Sequence, residues 1–134
     1  MLLLGLLAVG VLLLSISAYT LLAPQAPVAG ARTLVVEGWL NAGEIRQAAE
    51  VARSGRYERV LTSGGPIEPF DDAGGWKNYA TRAAENLRAA GLRVPVIAVP
   101  APETRIDRTH LSALKVREWA QQNGVVLDAF DLYS

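Results

Sequence analysis

Three short stretches of this 134-residue sequence carry residues whose types and spacing could do chemistry. The first is Ser63-Gly64-Gly65-Pro66. Two adjacent glycines let backbone amides approach an anion, and Ser63 adds a hydroxyl donor, the composition of a nest that cradles phosphate or carboxylate. The same pair also makes a plain tight turn. There is no Gly-Lys-Ser/Thr element of a P-loop and no dinucleotide fingerprint spacing, so neither ATP nor NAD is implied, and no cofactor can be assigned. The second stretch gathers Arg105, Asp107, Arg108 and Thr109. Two guanidiniums can grip phosphate bidentately beside the free amides of a helix start. The plainer reading makes Asp107 a helix cap among solvated arginines. The third is Glu37-Gly38-Trp39, where Glu37 has the placement of a general base or metal ligand, and equally of a carboxylate that accepts loop amides.

Other chemistries are poorly served. His110 is the only histidine and there is no cysteine, which excludes disulfides and thiolate chemistry. No spacing assembles a Ser/His/Asp triad, and no metal-ligand motif is present. Trp39, Trp76, Tyr79 and Trp119 read as core or rim packing, with Trp76 and Tyr79 the best placed to meet a ligand because they flank a long loop. Thirteen Lys and Arg balance thirteen Asp and Glu. That balance leaves no basic footprint for nucleic acid.

The elements that must position these residues follow one grammar, repeated three times. A short β-branched run leads through a turn into a helix with apolar residues at helical spacing, and a glycine closes it. Strands are predicted at Thr33 to Val36, Arg59 to Thr62, Val94 to Val99 and Ala129 to Tyr133. Asn41 with Glu44 three residues on predicts a capping box for a helix burying Ile45, Ala48, Ala49 and Ala52. The second helix should bury Ala80, Ala83, Ala84 and Leu87. The third, from Asp107 to Gln122, should present Ala113, Val116, Trp119 and Ala120. This alternation predicts an α/β fold, a Rossmann-like three-layer parallel sheet of about four strands and three helices. Ligands of such sheets bind beyond the carboxyl ends of the strands, where all three chemical stretches fall.

Ahead of this body, residues 2–22 carry no charge and are long enough to cross ~30 Å of hydrocarbon as a helix. The expected division is 1–22 as a transmembrane anchor or signal segment, 23–32 as a Pro- and Ala-rich linker, and 33–134 as the α/β domain. An uncleaved anchor fits the long run better than a signal peptide, although Ala29-Gly30-Ala31 offers a cleavage-like site. Arg32 and Arg46 follow the span, so the positive-inside tendency weakly favours a cytoplasmic body. After the fourth strand a doubly wound fold supplies a loop and a covering helix, so a stop at Ser134 is expected to leave apolar surface uncovered and the domain incomplete.

Val35-Val36-Glu37-Gly38-Trp39-Leu40, Leu61-Thr62-Ser63-Gly64-Gly65-Pro66, Tyr79-Ala80, and Asp107-Arg108-Thr109 with Ser112-Ala113 and Trp119 occur in this order. Together they resemble the YdcF-like family, which includes SanA and ElyC. The resemblance implies a Rossmann-like domain on one N-terminal transmembrane helix at the bacterial envelope, facing outward, with a role in envelope integrity and cell-wall or lipid-carrier metabolism. It also implies that Ser63 to Gly65 and Asp107-Arg108-Thr109 border a shared pocket. Two features depart from the family pattern. Lys77, Asn78 and Tyr79 stand where an acidic residue is usual, and the family's following loop with a His and arginines lies past Ser134. The leading expectation is a membrane-associated domain binding an anionic or phosphorylated small ligand through Gly38, Ser63, Gly64, Gly65, Arg108 and Thr109. A hydrolase or transferase acting on a phosphate-bearing lipid or cell-wall precursor, with Glu37 as base, is the second reading. An inactive truncated fragment is the third. Oligomeric state is open.

Overall fold

A computed structural model describes residues 27–71 and 74–134, with Gly5, 9–11, 13–15 and Ser17 at isolated positions before them. Most of the expected anchor and linker, 1–22 and 23–32, therefore lies outside the described residues. Among those described, no helix is long and apolar enough to cross a membrane.

The chain runs β1 (Thr33–Glu37), α1 (Ala42–Ala52), β2 (Arg59–Gly64), α2 (Tyr79–Ala89), β3 (Val96–Pro100), α3 (Arg108–Gln122) and β4 (Asp131–Tyr133). The strands form one sheet in the order β3-β2-β1-β4, with every pairing parallel. This is the Rossmann-like α/β arrangement the alternation predicts. Strand order reverses between β1 and β4.

Side-chain alternation along the strands splits the core into two layers. Leu34, Val36, Val60 and Val96 point to the face covered by α1 and α2, where they meet Ile45, Ala48, Ala49, Ala52, Ala83, Ala84 and Leu87. Val35, Leu61 and Val99 point to the other face and meet Val116 of α3, with Trp119 and Leu127 packed alongside. Small alanines let α2 sit close to the sheet and α1 sit close to α2. The predicted capping box is present: Asn41 Oδ1 accepts from the amides of Gly43 and Glu44, and the Glu44 carboxylate accepts from Asn41 N at 2.8 Å.

Four expectations need correction. β2 continues two residues past Thr62, because Ser63 pairs with Glu37 and Gly64 with Pro100. β3 begins at Val96 rather than Val94, since Pro95 has no amide to donate and serves only as acceptor for Val60 N at 2.9 Å. β4 is three residues long, matched to Leu34, Val35 and Val36. Ala113 is exposed rather than buried, because it overhangs the flank of the sheet beside β4, where no helix follows among the described residues.

Asp131 fastens β4 to the rest of the body. Its carboxylate accepts from Val28 N and from the Tyr57 hydroxyl, each at 2.7 Å. Burial together with the bond to Asp131 pushes the Tyr57 hydroxyl up to about 12. Burial alone would raise Asp131, but the Val28 amide, the Tyr57 hydroxyl and the Arg56 charge outweigh it and hold the carboxyl below its ordinary value.

Candidate functional site

The carboxyl ends of β1, β2 and β3 are stitched together at the glycine turn. Ser63 O accepts from Gly38 N (2.7 Å), Gly64 O from Ala101 N (3.0 Å) and Gly65 O from Tyr79 N (2.9 Å). Each carbonyl of the turn thus ties β2 to a different neighbouring segment. Gly38 has no room for a side chain, because a Cβ there would lie 2.6 Å from Ser63 O and from the Tyr79 carbonyl group. Gly64 adopts φ 151 and would bring a Cβ to 2.8 Å from the Tyr79 Cβ. These two glycines serve close backbone packing, and neither lines a cavity described below.

Beyond these strand ends opens a cavity of about 630 Å³. Gly65, Tyr79 and Trp39 line its inner wall, and Arg105, Arg108, Thr109 and Ser112 come from the β3–α3 loop and the first turns of α3. Glu68 and Glu103 face it as well, so its two guanidiniums are matched by two carboxylates. Arg108 forms an ion pair with Glu68, and its Nε donates to Thr104 O at 3.4 Å. Arg105 has no ion-pair partner among the described residues.

The loop carrying Glu68 is held from below by a tyrosine. Tyr79 is buried at the start of α2, where Asn78 caps the helix by accepting from Thr81 N at 2.8 Å. The Tyr79 hydroxyl accepts from Glu68 N at 3.2 Å and donates to Asp71 Oδ2 at 2.6 Å. Burial first, then the bond to Asp71, raises its pKa. The hydroxyl therefore stays protonated and keeps donating across the neutral range.

A second, smaller recess of about 340 Å³ runs under α3 toward β4. Glu37, Ser63, Thr109 and Ser112 are polar residues of its lining, Arg117 adds a guanidinium, and Val35, Ala113, Val116, Leu127, Phe130 and Leu132 make up the apolar remainder. Glu37 and Ser63 are register partners, so their side chains leave the sheet on the same face. Burial raises the Glu37 carboxyl above its ordinary pKa. No hydrogen bond or ion pair to its carboxylate occurs among the described residues. Thr109 and Ser112 border both spaces.

The predicted site residues thus divide. Gly65, Arg108 and Thr109 share the larger cavity; Glu37, Ser63 and Thr109 share the recess; Gly38 and Gly64 hold the backbone between them. His110 is exposed in the first turn of α3 and borders neither space. Asp107 occupies the cap position of α3 with its backbone in the left-handed region (φ 55, ψ 33), and its side chain makes no capping bond. That backbone turns the carboxylate away from the amides which an extended cap residue would reach.

Glu68 and Glu103 line the cavity without a signal of their own in the sequence, and Trp39, read as core or rim packing, is 39% exposed on the cavity wall. Glu68 gave no signal except its place between two prolines, because its partner Arg108 belongs to a distant helix. Among the described residues, no cluster of three or more His, Asp or Glu could hold a metal ion. The chain matches no protein-family model, no curated protein and no solved structure.

Proposed function

We propose that the larger cavity binds an anionic or phosphorylated small ligand, and that the chain works as a membrane-associated protein in envelope maintenance. The observation that carries the binding reading is the convergence of Gly65, Arg105, Arg108 and Thr109 on one space beyond the ends of β2 and β3. Guanidiniums and a hydroxyl are the donors an oxyanion needs, and the walls of Trp39, Pro66 and Tyr79 suit the uncharged part of a small molecule. Membrane association and an outward-facing body rest on the uncharged run 2–22 and on the YdcF-like resemblance. Thermal shifts with inorganic phosphate, citrate and sugar phosphates test the binding. A ligand at a hundred times its Kd should stabilise the fold by about 2.7 kcal/mol. If no anion raises Tm at millimolar concentration, the reading fails. Reporter fusions on either side of the chain test its orientation.

One observation favours a second reading, a hydrolase or transferase acting on a phosphate-bearing substrate. Glu37 is a desolvated carboxylate beside Ser63 and Thr109, and a raised pKa makes it the stronger general base. A Glu37→Gln chain that kept full turnover of a phosphate ester would remove that role.

A further inference from the structure

Arg108 has two properties that pull in opposite directions. It is a wall residue of the cavity, yet its charge is already met by a carboxylate of the same wall. Glu68 is not a side chain that has wandered there from solvent. The segment around it is fixed by its backbone: Pro66 bridges Asn78, Ile67 N donates to Lys77 O at 3.4 Å, and Glu68 N donates to the Tyr79 hydroxyl at 3.2 Å. Its side chain is 23% exposed, against 57% for Arg108. The fixed partner is the acid and the freer one is the guanidinium.

We propose that Glu68 is a resident competitor for Arg108 that sets how tightly the cavity holds an anion. This rests on the reading of the cavity as an anion site. A ligand oxyanion that takes the Arg108 nitrogen now paired with Glu68 must displace that carboxylate, which its backbone bonds then keep close by. A monocarboxylate replaces like with like and gains little against the repulsion that remains. A phosphate group offers more acceptor oxygens and a second charge, and can use Arg105 and Arg108 together. The guanidinium side of the pair is open to water, which weakens it, so the exchange is not blocked, only made costly. The ligand class that follows is the phosphomonoester rather than the simple carboxylate.

Titration calorimetry of the full chain with inorganic phosphate and with acetate tests this in wild type, Glu68→Gln, Arg108→Gln and the double variant. Glu68→Gln should tighten phosphate binding about tenfold and acetate binding by less, because the charge removed repels a dianion more than a monoanion, while Arg108→Gln should weaken phosphate by about tenfold. In the Arg108→Gln background, adding Glu68→Gln should change the phosphate Kd by less than about twofold, because competition for that guanidinium is then absent. Equal or weaker phosphate binding by Glu68→Gln overturns the competitor role and leaves the anion site standing. So does an equal gain in both backgrounds, which would report general charge removal. Absence of phosphate binding in all four proteins removes the anion site and the competitor with it.

Discussion

The two faces of the sheet are built for different ends. On one, α1 and α2 close over Leu34, Val36, Val60 and Val96 with a run of buried alanines and Leu87. On the other, α3 with Leu127 covers Val35, Leu61 and Val99, while Phe130 at 42% and Leu132 at 56% exposure remain open beside it. The residues with chemical potential, Glu37, Ser63, Thr109 and Ser112, all border the thinly covered side. The difference leaves one layer closed by two helices and the other with room for polar groups that a closed core would reject.

The largest expected effect breaks the comparison directly. Leu87→Ala empties a fully buried position and should cost about 2–5 kcal/mol, whereas Val116→Ala on the thin face should cost less than half as much. Urea unfolding of both variants measures this, and equal losses would mean that the two layers contribute alike. Next comes the seam between the faces. Gly38→Ala forces a methyl against the Ser63 and Tyr79 backbone and should destabilise by about 1–3 kcal/mol, where Gly65→Ala, with only ordinary contact to Pro102 O at 3.6 Å, should be nearly neutral. Similar melting temperatures for the two alanine variants would contradict the crowding at Gly38.

The smallest effect sharpens the picture through pH. The folded state raises the Glu37 carboxyl, so Glu37 favours folding below its unfolded pKa, and that advantage is lost as pH rises through the higher folded value. Glu37→Gln should therefore melt slightly higher than wild type at pH 7, with the gap closing below about pH 4, where the acid is protonated in both states. A variant less stable than wild type at pH 7 would show that Glu37 has stabilising partners instead.

Local signals were legible wherever a residue's role depends on its neighbours in sequence. Asn41 and Glu44 announced their capping box, and the helical spacing of Ile45, Ala48, Ala49 and Ala52, and of Ala80, Ala83, Ala84 and Leu87, named buried residues that the fold does bury. The strand ends also pointed to the carboxyl end of the sheet, and Gly65, Arg108 and Thr109 line one cavity there. What could not be read depends on distant contacts. Periodicity places Ala113 on the same helical stripe as Val116, but cannot tell that it overhangs an open recess beside β4. Gly38 and Gly64 share a turn signature with ligand-binding glycines, and only the approach of Tyr79 shows that backbone fills the space. Glu68 becomes meaningful once Tyr79 folds its loop toward Arg108.

The bond from Val28 N to Asp131 places the lead-in to β1 at the amino end of the sheet. The cavity lies past the opposite end, beyond Gly65 and Ala101. Five extended residues of β1, roughly 16 Å of strand, separate the two. The mouth of the cavity thus lies at the opposite end of the body from the point where the chain enters it, as the rim of a cup lies opposite its base.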